Sequence, residues 1–243
     1  MIAAKLYWAN FASGRIHEAN VNGTGAKTIA KGQNHPFGVA VGGGHLYWAD
    51  YNGGTIHEAN LNGTGAKTIA KGQNHPVGVA VDSSHLYWVD GLAGTIVEAN
   101  LNGMGAKTIV KGQNHPGGVA VGGSHLYWAS YTRGTIHEAS LNGKGTKTIA
   151  KGQNHPIGVA VDGSHLYWAD NRAGTIVEAS LNGKGAKTIA KDQQGPWGVA
   201  VDGSHLYWSN LDAGTIVKAS LNGTGMKTIA KSQIQPAGVA VGR

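Results

Sequence analysis

The sequence predicts an all-β fold, a six-bladed β-propeller with four antiparallel strands in each blade. The triplet Leu-Tyr-Trp recurs six times along the 243 residues, every forty residues and without an insertion. Each repeat contains several short β-prone runs separated by turn residues, which is typical of a propeller blade. No segment keeps a helical apolar spacing without a glycine that interrupts it, so helices are not expected. The triplets are Leu6-Tyr7-Trp8, Leu46-Tyr47-Trp48, Leu86-Tyr87-Trp88, Leu126-Tyr127-Trp128, Leu166-Tyr167-Trp168 and Leu206-Tyr207-Trp208.

The first half of a repeat predicts two strands, and residues 76–116 serve as the template. Strand A is expected at Pro76–Val81, because this run alternates valine with glycine and alanine and is followed by the turn-forming residues 82–84. Strand B is expected at His85–Asp90, which is aromatic and β-prone. The small residues 91–94 end it.

The second half of the repeat predicts a hairpin. Strand C is expected at residues 95–101 and strand D at residues 107–111. Between them, Asn102-Gly103 predicts a type I′ turn, in which both central residues have positive φ. Residues 112–116 then lead to the next strand A.

The phase of the repeat predicts how the ring closes. The chain begins in a strand B and ends on a lone strand A at residues 236–241. The closing blade is therefore expected to be shared, with residues near 236–242 as its innermost strand and residues near 3–31 as the other three. Residues 1–243 are expected to form a single propeller domain, because an unbroken repeat leaves no place for a linker.

Alternation along strand A predicts how the blades pack. Val79 and Val81 should face one neighbouring blade, while Gly78 and Ala80 face the other and leave room for a large ring from strand B. The natural occupants of that room are the tyrosine and tryptophan of the triplets. These rings are therefore predicted to form the core.

One motif resembles a known family. The run 46–50, Leu-Tyr-Trp-Ala-Asp, and the run 56–63, Ile-His-Glu-Ala-Asn-Leu-Asn-Gly, are similar to the YWTD repeat of low-density-lipoprotein-receptor-type propellers, and every repeat shares the likeness. The family threonine is replaced by Ala, Val or Ser, and the acidic residue remains only at Asp50, Asp90 and Asp170. The resemblance implies that this Asp braces neighbouring backbone, so an amide or hydroxyl must replace it at Asn10, Ser130 and Asn210. It also implies binding to proteins or other ligands and a secreted or cell-surface location.

Differences among the repeats point to one face of the ring. They concentrate after the proline of strand A and in the B-to-C loop, and both connections emerge on the same face of a propeller. Loops on a rigid scaffold commonly carry binding specificity, and aromatic and arginine side chains are typical of binding surfaces. The residues after the proline are Phe37, Val77, Gly117, Ile157, Trp197 and Ala237, and the loop segments are 11–13, 51–53, 91–93, 131–133, 171–173 and 211–213. The candidate ligand-binding residues among them are Phe37, Trp197, Tyr51, Tyr131, Arg133 and Arg172.

Histidines form three series. His35, His75, His115 and His155 precede the strand-A proline at the mouth of the central channel and are also candidate ligand-binding residues. Four imidazoles around one axis could ligate a metal, or each could hydrogen-bond the D-to-A loop backbone with the asparagine before it. No metal ligand is assigned and no cofactor is expected. The second series opens strand B at the opposite end, and the third alternates with valine at a half-buried strand-C position; their members are His45, His85, His125, His165 and His205, and His17, His57 and His137.

Charged residues repeat as regularly as the aromatic ones. Twelve of the twenty basic residues are strand-D lysines, which suit exposed edges because they oppose edge-to-edge aggregation. Their even spread around the rim does not form the concentrated patch of a specific nucleic-acid site. A glutamate recurs in strand C of five repeats and is expected to be solvated or paired with lysine. In the sixth repeat the same position is occupied by Lys218. The glutamates are Glu18, Glu58, Glu98, Glu138 and Glu178.

These features favour a non-enzymatic scaffold that binds a ligand or protein on the face of the D-to-A and B-to-C loops. No nucleophile elbow, phosphate-binding loop or metalloprotease motif occurs in the sequence. The expected partner is a protein or peptide, or a glycan, with no membrane insertion and a monomeric state; no signal peptide or cysteine occurs in the chain. The alternative is a multivalent lectin with several near-equivalent sites between blades. Two further interpretations of the sequence are a metal-assisted hydrolase or lyase and a ligand-free consensus scaffold.

Overall fold

A computed structural model describes residues 3–242 as an all-β ring. It has six four-stranded antiparallel sheets, the blades of a propeller, and so confirms the predicted fold class. The described part of the chain contains no helix long and apolar enough to cross a membrane.

The strands follow the repeat closely. They are β1 (Lys5–Asn10), β2 (Arg15–Asn20), β3 (Lys27–Lys31), β4 (Pro36–Gly42), β5 (His45–Asp50), β6 (Thr55–Asn60), β7 (Lys67–Ala70), β8 (Pro76–Val81), β9 (His85–Asp90), β10 (Thr95–Asn100), β11 (Lys107–Val110), β12 (Pro116–Gly122), β13 (His125–Ser130), β14 (Thr135–Ser140), β15 (Lys147–Lys151), β16 (Pro156–Val161), β17 (His165–Asp170), β18 (Thr175–Ser180), β19 (Lys187–Ala190), β20 (Pro196–Val201), β21 (His205–Asn210), β22 (Thr215–Ser220), β23 (Lys227–Ala230) and β24 (Pro236–Gly242). Blade 1 has the order β24-β1-β2-β3, and blades 2 to 6 are β4–β7, β8–β11, β12–β15, β16–β19 and β20–β23, with strand A innermost in each.

Blade 1 closes the ring as predicted. In the antiparallel pair of β1 with β24, Trp8 lies opposite Val239 and Tyr7 opposite Ala240. The two ends of the described chain therefore share one sheet. Met1, Ile2 and Arg243 lie outside the described residues, and the single-domain expectation for residues 1–243 stays a prediction.

The triplets form the core between blades. Trp88 is fully buried and packs with Val79 and Leu86 against Tyr47 and Ala40 of the preceding blade. The same arrangement recurs around the ring, and the leucine, tyrosine and tryptophan of every triplet are at most 2% exposed. Truncating one such tryptophan to alanine should cost about 3–5 kcal/mol of stability.

Each tryptophan is also held by a glutamine that sequence reasoning missed. Trp88 Nε1 donates to Gln73 Oε1 at 2.7 Å, and the backbone N–H of Gln73 donates to Gly54 O of the preceding blade. The indole–glutamine bond is present in all six blades, at 2.7–3.0 Å. The glutamine satisfies a buried donor and ties two blades together.

Two local predictions are wrong, the first of them only in part. Val79 and Gly78 face opposite neighbours as expected, and Ala80 packs in one cluster with the Trp128 ring of blade 4, as predicted. A Cβ on Gly78, however, would lie 2.8 Å from Gly117 O of blade 4, so neighbouring backbone rather than a ring fills the space beside this glycine. The C-to-D connection is also not a type I′ turn, because Gly103 has a φ of 80° whereas Asn102 does not have a positive φ. Gly103 N donates to Asn100 O at 2.8 Å, which closes the turn one residue earlier than predicted.

Candidate functional site

Two sets of loops meet on one face of the ring. In blade 2, Tyr51 N of the B-to-C loop donates to His35 O of the D-to-A loop at 3.0 Å. The equivalent bond occurs in every blade; the other five join Phe11 to Gln235, Gly91 to His75, Tyr131 to His115, Asn171 to His155 and Leu211 to Gly195. We call the surface formed by these loops the rim face.

The first histidine series occupies a strained backbone position. His35, His75, His115 and His155 have φ between 45° and 61°, and Gly195 and Gln235 share this left-handed conformation at 62° and 50°. The carbonyl of this residue accepts the bond from the B-to-C loop, so the backbone, and not the imidazole, satisfies the loop. Each Nδ1 lies 3.0–3.2 Å from the side-chain Oδ1 of the preceding asparagine. The predicted bond from imidazole to loop backbone is therefore replaced by a side-chain contact.

The four imidazoles do not converge on one point. His75 packs edge-on against Tyr51, with ring centroids 4.6 Å apart, and His155 makes the same contact with Tyr131. His35 lies 4.7 Å from the Phe11 ring. Within residues 3–242 no three His, Asp or Glu side chains are placed to hold a metal ion. Three of the four imidazoles, His35, His75 and His155, instead support an aromatic side chain of a neighbouring loop.

A cavity of about 260 Å³ lies at the centre of the rim face; we call it the rim cavity. Four of the predicted site residues, Phe37, Tyr51, Tyr131 and Trp197, line it, and His115 is the one imidazole of the series that does so. The other lining residues are Phe11, Val77, Gly91, Leu92, Pro116 and Ile157. The cavity is thus mainly apolar and aromatic.

One wall of the rim cavity is a cluster of four rings. The Phe37 ring lies 5.5 Å from Phe11, 5.6 Å from Tyr51 and 5.3 Å from Trp197, measured between centroids. The rest of the lining includes the aliphatic residues Ile157 and Val77 together with Tyr131. Phe11, Val77, Leu92 and Ile157 were not selected from the sequence, although they occupy the same variable positions as the residues that were.

The two arginines lie outside the cavity lining. Arg133 is exposed, and its charge, after burial, is the second cause that lowers the pKa of His137. Arg172 is also exposed, and its backbone N–H donates to Asn154 O at 3.3 Å. His35, His75 and His155 are likewise absent from the lining. The ten predicted residues therefore divide equally between the cavity and its surroundings.

A narrow neck forms the floor of the rim cavity. Beneath Phe37 and Trp197 the channel shrinks to about 40 Å³, where glycines of the innermost strands approach the axis. Below this neck the channel is lined by valines and alanines of the innermost strands. The lining of neck and channel contains no titratable side chain among the described residues.

The acidic position of strand B braces the rim loops. Asp50 Oδ2 accepts a bond from Asn34 N at 2.9 Å, as the family resemblance implies. Ser130 Oγ donates to Asn114 O at 2.8 Å, and Asn10 Nδ2 donates to Gln233 Oε1 at 3.1 Å. A hydroxyl and an amide therefore replace the carboxylate at Ser130 and Asn10, as expected. Their partners differ from that of Asp50, because Ser130 bonds a backbone carbonyl and Asn10 bonds a glutamine side chain. Burial raises the pKa of Asp170 to about 6, although bonds from Asn154 N and the Trp168 side chain oppose the rise.

The opposite face carries a repeated charge cluster. In blade 2, Glu58 lies 3.5 Å from His45 Nε2 and 3.1 Å from Lys67 Nζ. Glutamates at this position are 7–8% exposed, so the predicted lysine pairing is confirmed and the solvated alternative is wrong. Equivalent clusters centre on Glu18, Glu98, Glu138 and Glu178.

The third histidine series packs as predicted. His57 stacks on Trp48 with centroids 5.1 Å apart and rings 7° from parallel. His17 and His137 stack in the same way on Trp8 and Trp128. The corresponding valines are 6–7% exposed and His137 is 9% exposed, so this is a packing position as predicted, but it is more buried in these blades than the expected half.

Comparison with known proteins defines the class of the chain as a six-bladed β-propeller. A chain in the crystal structure of a nidogen/laminin complex superposes with a TM-score of 0.91 at 21% identity, covering 98% of both chains. A streptogramin B lyase superposes with a TM-score of 0.73 at 14% identity, covering 97% of this chain and 83% of that one. Virginiamycin B lyase from Staphylococcus aureus gives 0.73 at 13% identity, with 96% and 84% covered. No family model and no curated protein matches the sequence.

Proposed function

We propose that this chain is a non-enzymatic binding scaffold of the YWTD type that captures a protein or peptide on its rim face, with an apolar side chain of the partner inserted into the rim cavity. The observation that carries the proposal is the aromatic and aliphatic cavity where the variable loops of all six blades meet. Its roughly 260 Å³ is below the ~300–1,000 Å³ of typical small-molecule sites. A cavity of this size suits one anchoring side chain.

The chemistry of the wall supports a side-chain anchor. Trp197 and Phe37 offer ring faces and edges that attract aromatic and aliphatic groups, and buried anchors of this kind dominate binding energy at protein interfaces. Leu92, at 53% exposed, extends the apolar surface beyond the cavity mouth. The similar chain in the nidogen/laminin structure comes from a protein complex, which agrees with this type of function for the fold.

The alternatives fit the geometry less well. A multivalent lectin needs several equal sites, whereas the aromatic residues of the rim cavity differ from blade to blade. The lyases that share the fold make a hydrolase or lyase the other alternative, but the cavity lining has no carboxylate. Its tyrosines Tyr51 and Tyr131 pack against His75 and His155 rather than against His115, the one imidazole in the lining. A catalytic acid–base pair would need a second titratable partner within hydrogen-bond reach.

A displayed library of random linear peptides tests the proposal. We expect selected peptides to share an aromatic or aliphatic anchor and to bind once per chain. Trp197→Ala should weaken their binding by about thirtyfold, the effect of losing a hot-spot contact. The variant should fold, because Ala237 occupies the same position in blade 1.

Met104→Ala is the matched control, since Met104 is 67% exposed in a C-to-D turn on the opposite face. Its peptide affinity should equal that of the parent chain. Peptides that bind the Trp197 and Met104 variants equally well would contradict the rim cavity as the site. Binding of glycans on an array with several equal sites by calorimetry would instead support the lectin.

A further inference from the structure

Blade 6 breaks the charge pattern of the face opposite the rim. In blades 1 to 5 a strand-C glutamate lies between two basic side chains, as Glu178 lies between His165 at 3.5 Å and Lys187 at 3.2 Å. In blade 6 the strand-C residue is Lys218, which lies directly opposite Lys227 of strand D. Like charges directly opposite each other in neighbouring strands are destabilising.

A cavity of about 290 Å³ lies at this position, and we call it the blade 6 pocket. His205, Lys218 and Lys227 line it together with Ser220 of blade 6 and Asn22 of the neighbouring blade 1. The pocket therefore combines two ammonium groups, one imidazole, a hydroxyl and a side-chain amide. These are the donor types that proteins use to hold oxyanions.

No carboxylate neutralises the two lysines of the pocket. Among the described residues, neither Lys218 nor Lys227 has an acidic oxygen within 4.0 Å, whereas Lys27, Lys67, Lys107, Lys147 and Lys187 all do. Lys218 Nζ instead lies over the Tyr207 ring, 5.5 Å from its centroid.

Asp202, which lies 3.6 Å from His205 Nδ1, is engaged in the adjacent turn. Asp202 accepts bonds from Ser204 N, His205 N and Tyr207 Oη, each at 2.8 Å. His205 presents Nδ1 to this turn, 2.9 Å from Ser204 Oγ. In blade 5 the other ring nitrogen, Nε2, contacts the glutamate that blade 6 lacks.

We propose that the blade 6 pocket binds a phosphate or sulfate group, which takes the place that a glutamate carboxylate holds in the other five blades. Two lysines provide a charge of +2, so a doubly charged tetrahedral oxyanion matches the pocket better than a singly charged carboxylate. The group comes either from the free inorganic ion or from a phosphate monoester, which carries a charge of about −1.5 to −2 at pH 7, and both present terminal oxygens to the lysines.

Titration calorimetry with sodium sulfate and sodium phosphate, against sodium chloride at equal ionic strength, tests the proposal. We expect one site per chain and weaker binding of acetate. Lys218→Glu restores the carboxylate of the other blades and should weaken sulfate binding by about tenfold or more, since it removes one charge-assisted bond and adds a repelling charge. Lys231→Glu is the matched control, because it makes the same charge change on an exposed lysine just after β23 and outside the pocket.

Transplanting the pocket gives a second, independent readout. Blade 5 already has His165, Ser180 and Lys187 at the equivalent positions, and Asn222 corresponds to Asn22. Glu178→Lys should therefore raise the sulfate stoichiometry from one to two. A sugar phosphate monoester that binds more tightly than inorganic phosphate identifies an ester as the source, and the reverse order identifies the free ion. Unchanged sulfate affinity in Lys218→Glu, equal binding of acetate and sulfate, or no signal beyond chloride would overturn the proposal.

Discussion

Asp170 shows how much one buried side chain depends on its blade. It is 6% exposed, and its Oδ1 has no hydrogen-bond partner among the described residues. Asn10 and Asn210 occupy the same position in blades 1 and 6 and donate their Nδ2 groups to the glutamine that holds the tryptophan. The asparagine Oδ1 atoms also have no partner among the described residues, but an amide donates a bond here that a carboxylate cannot and carries no charge to desolvate.

We predict that Asp170→Asn removes a pH dependence of stability. Because the folded-state pKa is raised from 3.8 to about 6, this carboxyl favours folding below about pH 3.8, and that contribution is lost as pH rises through 6. The free energy of unfolding of the variant, minus that of the parent chain, should grow by about 1–2 kcal/mol between pH 4 and pH 8. Urea unfolding followed by circular dichroism at several pH values measures the difference.

Asp202→Asn is the control, because its effect on the pH dependence of stability should have the opposite sign. Burial alone would raise the pKa of Asp202, but bonds from Ser204 N, the Tyr207 hydroxyl and His205 N hold it below its usual value. This carboxylate therefore stabilises the fold above its unfolded pKa, and the contribution is lost as pH falls. The variant should lose stability relative to the parent chain as pH rises. Identical pH profiles for the two variants would contradict the assignment.

Strand A contains a glycine that is required by close packing between blades and not by a turn. Gly78 lies in β8, and an added Cβ would meet Gly117 O and Val119 N of the next blade at 2.8 Å. Its counterparts Gly38, Gly118, Gly158, Gly198 and Gly238 face the same restriction. The innermost strands therefore touch through backbone, and this close contact sets the narrow neck below the rim cavity.

We predict that Gly78→Ala destabilises the ring by about 3 kcal/mol, because neighbouring backbone cannot move aside as a side-chain tip can. Gly163→Ala is the control, since a Cβ there meets no atom within 4 Å and Ser83 occupies the same turn position in blade 3. That control should stay within about 0.5 kcal/mol of the parent chain. Equal denaturation midpoints for the two variants would show that the backbone contact is not restrictive.

The strands themselves were largely predictable. β8 and β9 have the predicted bounds, and β10 and β11 each end one residue earlier. The turn type after strand C was not predictable, because Asn-Gly is compatible with more than one hairpin. The choice depends on the bond that Met104 N donates to Asn102 Oδ1 at 3.0 Å. Short-range sequence preferences place an element more reliably than they choose the geometry of its ends.

The ring as a whole depends on the contact between β1 and β24. Val239 and Ala240 are 5% and 7% exposed because they are covered by blade 1 and its neighbours. Without β24, the edge of β1 would expose unpaired backbone beside Tyr7 and Trp8.

We predict that a chain ending at residue 235 loses its cooperative unfolding transition or aggregates. The lost packing, several kcal/mol, is comparable with the roughly 5–15 kcal/mol of net stability of a folded domain. Differential scanning calorimetry and size-exclusion chromatography measure both outcomes. A chain ending at Gly242 serves as the control. A truncated chain with the melting temperature of the control would show that closure of the ring contributes little.

The repeat spacing and the aromatic triplets were sufficient to predict six blades, the strand order and the shared closing blade, because burial of large rings at a fixed period allows few other arrangements. They also indicated the rim face, since loops that vary among otherwise equal repeats emerge there. The sequence could not predict which of these variable residues contact one another in the rim cavity. Phe11, Phe37 and Trp197 are separated by up to 186 positions and come together because the ring places blades 1, 2 and 6 side by side. The rim cavity and the blade 6 pocket both arise from contacts between blades, and such contacts exist only once the ring is closed.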